Sequence, residues 1–318
     1  MHPFRSLQAA LLVLILGCSP KPEAPESVPA PPRPSSAETL DSAPESPPFV
    51  ASPLPAAADT SPLTGRLLVA VTVDGRGSVT FDPVYYLPTD SSPRPYPPGL
   101  DTGVAAFQAR YAAPTRPYVV LEGGHAIGAL HPTEAYESSC TGQTGTGYIT
   151  PAPQGPWAGL AITGPPLPVA WHRRDLTSQE RLTLLQLARP LLLALEASPA
   201  GADSALLDRG FAYEALADST RLLAAALHHD ALRPGRYHER LSVFLIARRD
   251  STGYVPVYSW SHGGVEEGRQ VRGFLDAADL DGDGALEFVT SISYYESTTY
   301  QVIQANGGEW SPGASAGC

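Results

Sequence analysis

Residues 276–295 read DAADLDGDGALEFVTSISYY and place a run of closely spaced aspartates directly before an apolar segment. Within residues 288–294, two sets of side chains alternate with a period of two, which is the period of a β-strand. The residues before the turn, 271–278, are interpreted as a second strand. The stretch therefore predicts two strands joined by an acidic turn, and it favours a β-rich body around them.

The acidic turn has the pattern of an oxygen-rich metal site. A tight turn can point the carboxylates of Asp279, Asp281 and Asp283 inward, and two glycines supply the backbone freedom that it needs. Glu287 can close the shell, and the carbonyl of Ala285 can contribute. Such hard oxygen ligands suit Ca²⁺, and clustered carboxylates without a cation repel one another. The turn predicts a calcium site, and an acidic turn that carries no ion is the alternative.

Two kinds of calcium loop can be compared with this turn. An EF-hand requires flanking helices and a Glu at its twelfth position, where this chain has Thr290. The turn instead resembles the Asp-x-Asp-Gly-Asp-Gly-x-x-Asp/Glu loop of FG-GAP and VCBS-type repeats, found in integrin-like propellers and many secreted bacterial proteins. That loop bridges two strands and binds calcium. By residue match, the resemblance implies the ligands Asp279, Asp281, Asp283 and Glu287, with the carbonyl of Ala285.

The N-terminus has the pattern of a lipoprotein leader. Residues 1–17 contain one early positive charge and an apolar run that is too short to span a bilayer, which is typical of a signal peptide. The following ILGC, residues 15–18, resembles the bacterial lipobox. The resemblance implies that the leader is cut before Cys18 and that this cysteine carries the lipid. A chance cysteine after an apolar run is the alternative.

That resemblance places the protein in the bacterial cell envelope, bound to a membrane through its N-terminal lipid. Ser19 after the cysteine favours the outer membrane if the organism is diderm. Residues 18–62 contain 13 prolines and few apolar side chains, so we expect a lipidated cysteine followed by a disordered tether. The formal net charge is −11, which argues against nucleic acid as a partner.

The fold class predicted for the remaining chain is α+β and mainly β, with short antiparallel strands, helices in the middle and no complete propeller, which needs at least four blades. The predicted regions are a mostly β region at 63–175, a helical segment at 176–230, and a β region at 231–318 with the calcium loop at 279–287. Turns at 74–77 and 250–253 predict β-hairpins.

Two details of the helical segment depend on single features. Thr177 and Glu180 form a capping-box pattern, and Pro190 predicts a kink or a stop near Arg189.

Residues 221–249 are ambiguous. They are either a degenerate copy of the strand–turn–strand unit or partly the end of a helix.

The cysteines and histidines give weaker indications. Cys140 and Cys318 are either a disulfide pair or two free thiols. The histidines match no strong metal or catalytic motif, and the sets considered are His228, His229 and His238; Glu122, His125 and His131; and the SWSHGG segment with His262.

The sequence favours a binding or structural module over an enzyme. Its calcium-stabilised surface would bind a protein or a glycan, and an exposed aromatic patch near Tyr85, Tyr86 or Trp260 would support that role. The alternative is an envelope hydrolase whose active site leaves no motif. A deep pocket around His125 or His262 would favour the hydrolase. A passive structural protein of the envelope is a third interpretation.

Overall fold

The computed structural model describes residues 65–88, 94–96, 103–138, 142–231, 239–264 and 268–317, with three antiparallel sheets of seven, five and four strands. The prediction of a mainly β fold is confirmed. None of the helices in these ranges is long and apolar enough to cross a membrane. The predicted signal peptide, the lipidated Cys18, the tether and the cysteines Cys140 and Cys318 lie outside the described residues.

The first sheet has the strand order β1-β7-β4-β5-β6-β2-β3. Its strands are β1 (Gly65–Val73), β2 (Val79–Pro88), β3 (Arg94–Pro95), β4 (Tyr118–Glu122), β5 (His125–Ser138), β6 (Gly142–Thr150) and β7 (Trp157–Ile162). Strands β1 and β2 form the hairpin predicted across residues 74–77, and the β1–β2 pairing completes a ring of pairings through β7, β4, β5 and β6.

The alternation of side chains along β1 sends residues into two separate cores. Val69 and Val71 lie in the core enclosed by the first sheet, where Phe107 of helix α1 (Val104–Arg110) is also fully buried. Leu68 and Ala70 point the other way and pack in the core shared with the third sheet. Because successive strand residues face opposite sides, a strand buried on both faces is a continuous apolar run rather than an alternating one.

The second sheet has the order β12-β11-β10-β9-β8 and carries two helices on one face. Helix α2 begins after the capping box of Thr177 and Glu180, which is present as predicted. The elements are β8 (Trp171–Asp175), α2 (Ser178–Ala194), α3 (Pro199–Asp203), β9 (Leu206–Ala215), β10 (Arg221–Ala231), β11 (Glu239–Arg249) and β12 (Tyr254–Gly264). Strands β11 and β12 form the hairpin predicted across residues 250–253.

The helical segment predicted over 176–230 is wrong beyond Asp203, because residues 206–231 form two strands. Residues 222–227 read LLAAAL and favour helix by propensity. In the folded chain they form the middle of β10, whose two faces are buried in different cores. Burial on both faces overrides the helical propensity here. The helical interpretation of 221–249 is therefore wrong, because Arg221–Ala231 and Glu239–Arg249 are antiparallel strands that pair with each other.

Helix α2 does not stop near Arg189, because it continues through Pro190 to Ala194. Proline removes one backbone hydrogen bond from a helix interior. Leu184, Ala188 and Leu192 are fully buried against the second sheet. This packing holds the two halves of the helix in one continuous element.

The third sheet is a four-stranded antiparallel sheet with the order β13-β14-β15-β16. Its strands are β13 (Val271–Ala278), β14 (Glu287–Ser293), β15 (Thr298–Asn306) and β16 (Glu309–Gly317). Strands β13 and β14 pair antiparallel on either side of the acidic turn, as the sequence predicts. One face of the third sheet packs on the first sheet and the other on the second, so this hairpin lies in the middle of the described fold.

Candidate metal centre

The acidic turn lies at the end of the β13–β14 hairpin, where Ala278 pairs with Glu287. Asp279, Asp281 and Asp283 each contribute one carboxylate oxygen to a group whose members all lie within 4.8 Å of one another. The first aspartate is buried, and the other two are exposed. The structure therefore brings together the three aspartates that the spacing predicts as ligands.

Asp279 organises the turn from inside. Its Oδ1 accepts a hydrogen bond from the backbone N–H of Gly282 at 2.7 Å, and its Oδ2 accepts one from Gly284 at 3.0 Å. Both glycines have a positive φ, 83° and 88°, which other residues rarely adopt. The turn is folded by its own first carboxylate, and the two glycines make that fold accessible to the backbone.

The two exposed aspartates also accept hydrogen bonds from backbone N–H groups of the turn. Asp281 Oδ1 accepts a hydrogen bond from the N–H of Asp283 at 3.2 Å, and Asp283 Oδ1 accepts one from Ala285 at 2.7 Å. Trp171 donates its indole N–H to the carbonyl of Gly284 at 2.9 Å and so fastens the turn to the second sheet. These bonds orient the carboxylates without neutralising their charge.

Glu287 lies beneath the turn and is buried. Its Oε2 accepts a hydrogen bond from the backbone N–H of Leu280 at 2.7 Å, and it is not part of the group of oxygens within 4.8 Å. Burial, followed by the charges of the nearby aspartates, raises the pKa of Glu287 to about 8. The predicted fourth carboxylate is thus adjacent to the three aspartates, in a position where a cation would favour its ionised form.

The chemistry of the donors defines which ions fit. Burial and the neighbouring aspartates also raise the pKa of Asp279, which is the expected effect of like charges held together. The donors that the turn offers are all oxygens. Such a set suits hard divalent cations, whereas zinc sites in proteins are built mainly from Cys and His. The residues therefore suit a hard divalent cation.

The structure also places most residues of the other sets considered from the sequence. Glu122 and His125 line a cavity of about 460 Å³ with His172, but His131 is stacked on Tyr148 at a centroid distance of 4.8 Å and does not line it. His228 hydrogen-bonds Asp208 at 2.7 Å, while His229 lies beside Gly201. His238 is outside the described residues. His262 stacks on Trp260 at 6.0 Å, and Tyr85 is buried rather than part of a surface patch.

Sequence reasoning missed the buried carboxylate of Asp276, three residues before the turn. It is 1% exposed and accepts hydrogen bonds from the backbone N–H of Gly123 at 2.7 Å, Arg173 Nη1 at 3.1 Å and the hydroxyl of Tyr213 at 3.3 Å. Burial raises the pKa of Asp276, while Arg173 opposes that shift. The signal in the sequence was the position of Asp276 inside a predicted strand, because a carboxylate on a buried strand face requires hydrogen-bond partners.

No protein-family model, curated protein or solved structure matches the chain.

Proposed function

We propose that this chain is a lipid-anchored protein of the bacterial cell envelope that binds Ca²⁺ and acts as a binding or structural module. The observation that carries the calcium proposal is the convergence of three aspartate carboxylates at the tip of the β13–β14 hairpin. The lipid anchor at Cys18 and the envelope location are supported by the lipobox resemblance and by the proline-rich tether.

Several residues of the turn would coordinate the ion together. Asp279, Asp281 and Asp283 would each supply a carboxylate oxygen, with the Ala285 carbonyl and Glu287 completing the shell. Ca²⁺ takes six to eight oxygens in flexible geometry, whereas Mg²⁺ demands a near-ideal octahedron and retains several waters. Two exposed aspartates on a short turn favour the more tolerant ion, since water can fill the remaining positions.

A bound ion would act on stability, because it removes the repulsion among the carboxylates of the turn. Extracellular calcium modules bind with a Kd of about 10⁻⁴ to 10⁻³ M. A free calcium concentration one hundredfold above Kd would raise the free energy of unfolding by about 2.7 kcal/mol. The ion would thus stabilise the β13–β14 hairpin in the middle of the fold. The surface stabilised in this way would bind a protein or glycan partner.

The test is a calcium titration of the purified protein by calorimetry, combined with thermal melting in calcium and in chelator. The variant is the double substitution Asp281→Asn and Asp283→Asn. The control is Glu296→Gln with Glu309→Gln, which removes the same charge from two other exposed sites. We expect heat and a higher Tm with calcium in the wild type and the control only. Absence of both responses in the wild type would reject the calcium proposal.

The envelope hydrolase is a second candidate, and the cavity that contains His125 is the observation in its favour. Glu122, His125 and His172 line it together with Arg173, and a carboxylate beside histidines is a common acid–base arrangement. The test is a panel of chromogenic esters, phosphates and glycosides with the wild type and with His125→Ala, His172→Ala. Turnover that the double variant abolishes would support this candidate over the binding module.

A further inference from the structure

A cavity of about 810 Å³ opens between the start of β1, helix α1 and the residues that follow β7, and no residue of the acidic turn is among its described lining. Its lining includes three arginines, Arg66, Arg110 and Arg116, and the lining residues that the structure describes include no Asp or Glu. The whole chain has 32 acidic and 21 basic residues. The clustering of positive charge in one cavity therefore runs against the charge balance of the protein.

Neutral groups hold Arg66 in place. Its Nε donates to the carbonyl oxygen of Thr163 at 2.9 Å, and its Nη2 donates to the carbonyl oxygen of Pro165. Both acceptors belong to the segment that follows β7. Backbone carbonyls orient a guanidinium but leave its charge uncompensated, so Arg66 keeps a net positive charge at the cavity wall.

Arg116 is held in the same way from the other side of the cavity. Its Nη1 donates to the carbonyl oxygen of Arg110 at 2.9 Å, and the guanidinium of Arg110 lies 5.9 Å from the ring centre of Tyr111. Within the described ranges, neither Arg66 nor Arg116 forms an ion pair with a carboxylate. The charges at the two walls therefore remain available to an anion.

The other lining residues that the structure describes are mainly apolar. Ala106, Ala109 and Pro117 supply methyl and ring carbons, and Tyr111 adds an aromatic side chain. A cavity of several hundred Å³ with apolar walls and a few polar groups has the usual character of a small-molecule site. Its ligand would combine an anionic group with an apolar part.

We propose that this cavity binds the phosphate group of an organic phosphate. Arginine matches phosphate oxygens in a bidentate manner and with charge-assisted hydrogen bonds. The guanidinium groups of Arg66 and Arg116, which form no ion pair within the described ranges, are better matched by phosphate, which carries more charge and more acceptor oxygens than one carboxylate. The phosphate could belong to the headgroup of an anionic lipid or to a soluble metabolite, since both present the same chemistry to the arginines.

The experiment is calorimetric titration of the purified full chain at low ionic strength, where screening is weak. The probes are pyrophosphate, phenyl phosphate and glycerophosphoglycerol, which is the deacylated headgroup of phosphatidylglycerol; glycerophosphocholine serves as the zwitterionic control. The variant is Arg66→Gln with Arg116→Gln. The matched control is Arg181→Gln with Arg249→Gln, which removes two exposed arginines elsewhere. Because Arg66 also holds residues 163–165, the single variant Arg116→Gln is measured in parallel, with Tm recorded for every protein.

We expect at least one anionic probe to bind the wild type and the control, and to bind the double variant about tenfold or more weakly, as for loss of one charged hydrogen bond. Arg116→Gln should weaken binding with an unchanged Tm. Tighter binding of glycerophosphoglycerol than of the other probes would assign a lipid headgroup, and the reverse order would assign a soluble phosphate. Failure of every anionic probe, or equal binding by the Arg116→Gln variant, would overturn the proposal.

Discussion

Replacing Glu180 with Gln should remove an acid-sensitive part of the stability of this protein. The Glu180 carboxylate accepts hydrogen bonds from Arg174 Nη1 at 2.8 Å and Nη2 at 2.7 Å, from the backbone N–H of Thr177 at 2.9 Å, and from the hydroxyl of Tyr254 at 3.3 Å. These bonds join β8, the start of α2 and β12. The hydrogen bonds from Arg174, more than any other contact, lower the pKa of Glu180 from 4.5 to about 2.

The size of the effect follows from this difference in pKa. Each unit corresponds to about 1.4 kcal/mol, so the difference between 4.5 and about 2 is worth on the order of 3 kcal/mol. Because the pKa is lowered in the folded state, the contribution is complete above the unfolded value of 4.5. It is lost as the pH falls from there to the folded value. Below both values it is absent.

The assay is urea unfolding of the wild type and Glu180→Gln at a series of pH values from neutral to strongly acidic. Between roughly pH 5 and pH 2, the free energy of unfolding of the wild type should fall by about 2–3 kcal/mol more than that of the variant. Glu309→Gln, at an exposed position on β16, should follow the wild type throughout. Parallel acid profiles for the wild type and Glu180→Gln would refute the reasoning, because the carboxylate would then not titrate differently in the two states.

Two further predictions concern backbone positions. Gly145→Ala should lower the free energy of unfolding by roughly 1–3 kcal/mol, because an added Cβ would lie 2.0 Å from Cζ of the buried Phe81. The control in urea unfolding is Gly75→Ala, where the added Cβ has no neighbour within 4 Å. Equal losses of stability in the two variants would contradict the packing argument. Glu196 follows Leu195, the C-cap of helix α2, and has a φ of 63°. Glu196→Gly should therefore be about 1 kcal/mol more stable than Glu196→Ala by thermal melting. An Ala variant of equal stability would show that the left-handed backbone carries no strain.

The local features of this fold were accessible from the sequence. Asp-Gly and Gly-containing turns between β-branched runs predicted the hairpins across 74–77 and 250–253, because turn chemistry acts over a few residues. The capping box at Thr177 and Glu180 is equally local. The convergence of the aspartates in the acidic turn followed from their spacing alone.

The failures all involve packing partners that are distant in the chain. Residues 222–227 look helical until the sheet that buries both of their faces is known, and α2 tolerates Pro190 because the second sheet supports it. The arginine cavity joins Arg66 and Arg116, which belong to separate segments, and Asp276 is satisfied by residues from two other sheets. A single sequence does not show which of these distant segments will be in contact.

The buried carboxylate of Asp276 has a consequence for how the protein opens. Its partners are Gly123, in the turn between β4 and β5 of the first sheet, and Arg173 and Tyr213 of the second sheet, while Asp276 itself lies in the third. Separating the third sheet from the other two would leave the Asp276 carboxylate without these three hydrogen bonds in an apolar interior. The amides at the centres of the three sheets should therefore exchange with solvent deuterium through one shared opening event rather than as three independent cooperative units. Since the acidic turn begins three residues later, an ion bound there would slow that single event and so protect amides in all three sheets at once.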